Sequence, residues 1–266
     1  MLLIEYIVLG IIQGFTEPLP ISSSGHLKVF KSLFTSNALS DINFEIVVNF
    51  GSLIAILFLY KNEIIKIIKD FFMYIKTKKK EYKTNYNYAW LIVIGTIPAG
   101  IVGILIKDVL EQYFTTKITG LMFIITALLL YLIKDKDGKK TKKDLKITDA
   151  IKIGLFQCIA LIPGISRSGA TVVGGIEDNL TKETAVDFSF MLYIPVSMAT
   201  MVLGVKDLIS ANNLNELAFP YFISMIASMF VTYLSAKIFI DLVKKNKLVY
   251  FSIYCFILGI LVFLIF

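Results

Sequence analysis

Long apolar runs separated by short clusters of lysine dominate the chain. A helix needs about 20 apolar residues to cross the hydrocarbon core of a membrane. Six stretches meet or approach that length: 44–60, 88–106, 118–133, 188–205, 217–236 and 248–266. The first is expected to continue as an amphipathic helix to about Ile75. The third is short unless it starts near Tyr113. Two further apolar stretches, 2–33 and 147–176, are interrupted at their centres. One is broken at Pro18-Leu-Pro-Ile-Ser-Ser-Ser-Gly25, the other at Pro163-Gly-Ile-Ser-Arg-Ser-Gly169. Each reads as half-helix, loop, half-helix, the pattern of a re-entrant hairpin. Irregular backbone at membrane depth is tolerated only against protein or a water-filled cavity. The opening stretch lacks a basic flank and is not read as a cleaved signal peptide.

The two interrupted stretches resemble each other. Gly10, Gln13, Ile21, Ser22, Ser24 and Gly25 recur as Gly154, Gln157, Ile165, Ser166, Ser168 and Gly169, at a constant offset of 144 (157 − 13 = 144). Phe44 and Phe188 keep that offset. The chain therefore reads as a duplication, with pseudo-repeats over about 1–140 and 145–266. Three spans, an odd number, separate the hairpins, so the second must enter from the opposite face. The expected fold is a single all-α polytopic membrane domain over 1–266. It holds two inverted-topology repeats, each a re-entrant helical hairpin plus three transmembrane helices.

Lysine placement orients this fold. The segments 61–83 and 134–146 carry eight and seven lysines, and Lys244, Lys245 and Lys247 form a third group. All three fall on one side of a six-span layout. The other side has only Lys28, Lys31, Lys107, Lys117 and Lys206. The positive-inside rule places the rich loops in the cytoplasm. Both termini and the first hairpin then face outside, the second hairpin opens inward, and the tips meet near the midplane.

Composition agrees. Of 266 residues, 56% are hydrophobic and 18% charged, and mean hydropathy is +0.75. These values exclude an ordinary soluble enzyme, a disordered chain and a fibre. The net charge of +7 is accounted for by the topology lysines, so no nucleic-acid partner is expected. Cys158 and Cys255 lie in apolar stretches and suggest neither a disulfide framework nor a metal cluster. Among 27 basic residues only Arg167 is an arginine, and His26 is the sole histidine. An arginine retained in so lysine-rich a chain points to a need for its planar fork of donors, which suits phosphate or carboxylate.

The candidate chemistry sits at the two breaks. Gln13 and Glu17 are four residues apart, on one helix face. They can present two oxygens to a hard cation whose shell phosphate oxygens complete. Ser22, Ser23, Ser24 and Gly25 precede a helix expected to start near His26, and such a turn offers an anion site. In the second break Ser166, Arg167, Ser168 and Gly169 form a glycine-flanked turn. With the tips together, a carboxylate, an imidazole, hydroxyls, a helix N-terminus and a guanidinium converge, a set suited to phosphoryl transfer. Plainer readings stand beside this one. Arg167 and Glu17 could be a structural ion pair, and the serines caps. Gln13 and Gln157 could bond hairpin backbone. Glu45 and Asn49 either line the cavity or face the headgroups. Glu177 and Asp178 are expected in cytoplasmic water.

The run from Gln13 through Glu17 to His26, and Pro163-Gly-Ile-Ser-Arg167-Ser-Gly169, resemble the two signatures of the undecaprenyl-diphosphate phosphatases, the bacitracin-resistance family. Phe188-Ser-Phe-Met-Leu-Tyr-Ile-Pro195 is similar to a further family segment. The resemblance covers essentially the whole chain. It implies a bacterial inner-membrane hydrolase, open to the outer face, that removes the terminal phosphate of undecaprenyl diphosphate. The product is the carrier lipid of peptidoglycan synthesis, and depletion of the diphosphate gives bacitracin resistance. It implies a divalent cation, Mg2+ or Ca2+, held by Glu17 and Gln13, and a site of Glu17, Ser23, His26 and Arg167. Gln13 stands where many members have Glu, and Asn49 where others have His or Gln. The nucleophile is Ser23, activated by His26 or Glu17, or else a water. The rival reading is a transporter or flippase of the phosphorylated polyprenyl lipid without hydrolysis, because broken helices in inverted repeats also describe transporters. Membrane lipids are the expected surroundings, and a homodimer is left open.

Overall fold

The computed structural model describes residues 2–33, 42–210 and 214–266, without the side chains of 42, 107–113, 206–207 and 214–215. Lys107 and Lys206, used above for orientation, therefore lie outside the described side chains. Among the described residues the regular elements are eleven α-helices and one 3-10 turn, Lys142–Asp144. A lone β-bridge joins Lys140 and Leu180. The helices are α1 (Leu2–Thr16), α2 (Ser23–Leu33), α3 (Ile42–Leu59), α4 (Lys61–Thr77), α5 (Lys80–Tyr113) and α6 (Thr116–Ile133). They continue as α7 (Ile147–Ile159), α8 (Arg167–Glu177), α9 (Lys182–Ile209), α10 (Leu214–Lys244) and α11 (Val249–Ile265).

Four of these, α5, α6, α9 and α10, are long and apolar enough to cross a membrane, and α3 with α4 adds a fifth if that bent pair is one span. The chain is thus a multi-pass, all-α membrane protein. The sixth expected span is α11. Its 17 residues make a helix about 25 Å long, at the short end of what the hydrocarbon demands. Three spans are longer than the apolar pattern indicated. α5, α9 and α10 have 34, 28 and 31 residues, because polar ends such as Lys80–Asn87 contain no breaker and continue the helix. Apolar periodicity marks where a helix is buried in lipid, not where it stops.

α4 is the amphipathic continuation expected to about Ile75, and it sets off at an angle to α3. The two helices are bent by 72°. At the corner the Tyr60 hydroxyl donates to Asp187 Oδ1 at 2.9 Å, tying the bend to α9. α4 leaves Ile65, Ile68 and Phe72 exposed beside its lysines, the amphipathic character of a helix lying at a membrane interface.

In lipid, apolar surface gives helices little reason to associate, so small residues and interhelical hydrogen bonds supply the cohesion. α1 docks on α10 through Gly10 and Gly14. A Cβ there would lie 2.6 Å from the Ser224 carbonyl oxygen and 2.5 Å from that of Ser228. α7 docks on α5 in the same manner, Gly154 against the Gly95 carbonyl. Each broken pair therefore leans on a long helix from the other half of the chain. Hydroxyls bind the centre. Thr232 donates to Ser52 at 2.9 Å, Ser228 to the Val48 carbonyl at 2.8 Å and Ser235 to the Gly14 carbonyl at 2.8 Å.

Candidate active site

α1 ends because Pro18 has no N–H to continue it. The last helical bond runs from the Glu17 N–H to the Gln13 carbonyl, 2.9 Å. Gln13 and Glu17 thus remain one turn apart, and Gln13 Nε2 donates to Glu17 Oε2 at 3.0 Å. Ser22 turns the chain with φ 67°, and its Oγ accepts from the Gly25 N–H at 3.3 Å. This cap starts α2 at Ser23, earlier than the expected start near His26. Ser23 and Ser24 therefore belong to the first turn of the helix.

The second break repeats these bonds. Ser166 Oγ accepts from the Gly169 N–H at 3.1 Å and pairs with Ser168 Oγ at 3.2 Å, as Ser22 pairs with Ser24 at 3.4 Å. Ser23 and Arg167 hold the same place in the two turns (167 − 23 = 144). The tips interlock. The Gly164 N–H donates to Ser22 Oγ at 3.2 Å, and Ser168 Oγ donates to the Leu19 carbonyl at 2.8 Å. Gly164 has φ 100°, and a Cβ there would meet Met122 and the Thr119 carbonyl, each at 2.6 Å. Thr126 of α6 donates to the Gly164 carbonyl and accepts from the Ser166 N–H, at 3.0 and 3.1 Å. Two helix N-termini, each with free N–H groups and partial positive charge, thereby start at the same junction.

Across it, Arg167 Nη2 donates to Glu17 Oε1 at 2.7 Å. Arg167 Nη1 is buried without a partner among the described residues. The guanidinium lies over the Tyr193 ring, 4.1 Å from its centroid. Tyr193 in turn donates to Asn49 Oδ1 at 2.6 Å, and Ser197 reaches the same oxygen at 3.3 Å. Asn49 therefore faces inward and braces the surface beneath the arginine. Ser23 donates its hydroxyl to Glu17 Oε2.

His26 is placed differently from the expected convergence. Its Nδ1 lies 2.7 Å from the Ser22 carbonyl oxygen and its Nε2 lies 2.7 Å from the Tyr254 hydroxyl. Neither nitrogen is bonded to Ser23, so of the two expected activators it is Glu17 that meets the serine. Gln13 bonds Glu17 and not hairpin backbone. Gln157, its counterpart, is buried and neither side-chain polar atom finds a partner among the described residues. The residue aligned with Glu17 is Leu161. Glu45 pairs with Lys31 at 2.6 Å. Glu177 pairs with Lys136, and Asp178 is held by Lys140 and Lys152 instead of standing free in water. Both cysteines are free thiols.

Tyr193 and Tyr254 escape a reading of the sequence alone. Tyr193 lies in the 188–195 segment similar to the family, so a signal was present. Tyr254 is one aromatic among many in an apolar helix and carried none.

Among the described residues no group of three or more His, Cys, Asp or Glu is placed to hold a metal. The tip offers one carboxylate, Glu17, with the Gln13 amide and Ser23 hydroxyl beside it. Those are hard oxygen donors, and they fit Mg2+ or Ca2+ when phosphate oxygens fill the remaining positions.

A hydroxyl and a half-paired guanidinium share one carboxylate at the junction of two broken helices, an arrangement suited to phosphoryl transfer. Residues 6–261 match the family described as bacitracin resistance protein BacA, and the chain belongs to that family. It is 44% identical over 264 residues to undecaprenyl-diphosphatase 1 of Bacillus licheniformis, covering 98% of this chain and 97% of the relative. Undecaprenyl-diphosphatase 2 of Bacillus thuringiensis is 43% identical over 260 residues, covering 97% and 96%. Undecaprenyl-diphosphatase of Oceanobacillus iheyensis is 38% identical over 263 residues, covering 98% and 95%.

Proposed function

We propose that the chain hydrolyses undecaprenyl diphosphate to undecaprenyl phosphate and inorganic phosphate. This recycles the carrier lipid for cell-wall synthesis and lowers the pool on which bacitracin acts. Family membership and full-length similarity to undecaprenyl-diphosphatases support the reaction. The observation that carries the site is the Glu17 carboxylate, which holds Arg167 on one oxygen and Ser23 on the other.

Arg167 binds the terminal phosphate through Nη1, the nitrogen without a protein partner, while Nη2 stays on Glu17. The N-terminal amides of α2 and α8, with Ser22, Ser24, Gly25, Ser166, Ser168 and Gly169 shaping the turns, receive the remaining phosphate oxygens. Ser23 Oγ attacks the terminal phosphorus and its proton passes to Glu17 Oε2. The bond from phosphorus to the bridging oxygen breaks, and undecaprenyl phosphate leaves. Glu17 gives up that proton to the departing undecaprenyl phosphate, takes one from the attacking water and returns it to Ser23 Oγ as the phosphoserine is cleaved and phosphate is released. Glu17 and Gln13 would hold a divalent cation, which would supply charge neutralisation to the diphosphate. The prenyl chain stays in the lipid.

The two broken pairs form inverted re-entrant hairpins of the plasma membrane. Their recurrent bonds at offset 144 and their exchanged docking helices support that reading. With the lysine-rich ends of α4 and the 134–146 segment inside, both termini lie outside and the site opens outward. Every residue assigned here comes from one chain, so a homodimer would assemble two complete sites. Lipid transfer without hydrolysis would need no hydroxyl bonded to a carboxylate, and the Ser23–Glu17 bond favours chemistry.

The test is phosphate release from undecaprenyl diphosphate by detergent-purified protein, with and without EDTA, beside Glu17→Ala and Arg167→Ala. Cation-dependent release lost in both variants is expected. A folded wild type that binds the lipid and releases no phosphate would put lipid transfer in its place.

A further inference from the structure

Both ring nitrogens of the chain's one histidine are committed. Nδ1 faces the Ser22 carbonyl oxygen at 2.7 Å. A carbonyl only accepts, so Nδ1 carries the proton. In the neutral ring Nε2 is then the acceptor, and the Tyr254 hydroxyl donates to it at 2.7 Å. The two rings are parallel within 3°, with centroids 5.7 Å apart. Phe123 of α6 closes on the imidazole edge-on, centroids 5.1 Å apart and planes at 75°. The imidazole is 2% exposed. This is a ring fixed in plane, tautomer and partner by three separate elements, α2, α6 and α11.

We propose that Tyr254 is a positioning residue for the phosphatase reaction. Its hydroxyl takes up the Nε2 lone pair and so holds His26 as the Nδ1–H tautomer. The inference rests on the reading of the site given above. It divides the tip into two couples. Glu17 serves Ser23, while Tyr254 keeps His26 donating from Nδ1 to the Ser22 carbonyl and so steadies the turn that carries Ser23. Tyr254 is 43% exposed on the outer side of α11, so the residue that fixes the histidine comes from a helix remote in sequence from both signatures.

The other polar groups near the ring are accounted for. Cys255, next to Tyr254, is buried against the Pro20 carbonyl at 4.0 Å. Lys28, on the same helix as His26, donates to the Phe114 carbonyl. Glu17 and Arg167 are paired with each other.

His26 is the sole histidine, and 15N-histidine labelling of the full chain in micelles therefore gives one imidazole spin system. In the wild type the expected signals are those of an Nδ1–H tautomer with a hydrogen-bonded Nε2. In Tyr254→Phe the Nε2 resonance should move toward the unbonded position. Phosphate release should fall with it, kcat reduced several-fold and KM unchanged. Phe123→Leu, which loosens packing without touching the bond, should keep the tautomer. Identical imidazole signals in wild type and Tyr254→Phe would overturn the proposal. Loss of the same tautomer in Phe123→Leu would also overturn it, by making packing the cause. The labelled spectra need no turnover, so a wild type without phosphatase activity would sink the reaction and leave the pairing readable.

Discussion

The Ser23 hydroxyl donates to Oε2 of Glu17 across the break between α1 and α2, six residues apart in the chain. The other carboxylate oxygen holds Arg167 from the second broken pair. One side chain therefore orients both the proposed nucleophile and the guanidinium proposed to bind phosphate.

Glu17→Gln keeps shape and some hydrogen bonding but cannot accept the serine proton. Turnover is expected to fall by about 10²–10⁴, the range of general-base contributions. Ser23→Ala should fall comparably, and a phosphoenzyme trapped by acid quench from labelled substrate should disappear with it. A phosphoenzyme that persists in Ser23→Ala would assign the nucleophile elsewhere.

Arg167→Lys retains the charge and loses the fork. A lysine can reach Glu17 or the phosphate but offers no planar pair of donors to serve both. A loss of about 10²-fold in kcat is expected, as for removal of one oxyanion donor. Near-wild-type phosphate release by Arg167→Lys would exclude the two-sided role.

Tyr193 supports the guanidinium with its ring face and is itself held by Asn49. Tyr193→Leu removes the ring and should cost roughly 0.5–2 kcal/mol of Arg167 positioning, seen as a two- to thirtyfold drop in kcat/KM. Tyr193→Phe keeps the ring and should retain most activity. Equal losses in both would mean that the hydroxyl, not the ring, matters.

Gln13 lies beside Glu17 and lacks a formal charge. Gln13→Glu adds a second carboxylate at the tip, so the Mg2+ or Ca2+ concentration that half-restores EDTA-treated protein should fall. An unchanged half-activation point would remove Gln13 from the cation site.

Gly14 leaves no room for a side chain against Ser228. Gly14→Ala should lower the thermal midpoint in detergent, by the 1–3 kcal/mol typical of overpacking. An unchanged midpoint would show that α1 docks loosely.

The breaks were legible because proline and glycine act locally: Pro18 and Gly164 stop or turn the backbone whatever surrounds them. The recurrence of the two turns was legible because equal turns need equal residues. Helix ends were less so, since Lys80–Asn87 continues a helix with little apolar signal. The 72° corner after Leu59 depends on Tyr60 meeting Asp187, 127 residues away. Glu17, Ser23 and Arg167 were found by residue type and spacing. Their pairing, and the turning of His26 toward Tyr254, depend on which helix packs beside them, and a linear pattern does not record that.

Ser23 and Arg167 occupy one position of a repeated turn, while Glu17 and His26 face Leu161 and Ala170 at the equivalent places in the other copy. The two recurring turns thus carry opposite trades, one holding the carboxylate and its serine and the other the positive charge. Neither copy can be read as a spare. Severed in the 134–146 loop, each fragment would carry half a vocabulary, and catalysis would return only when the two were reunited in one membrane.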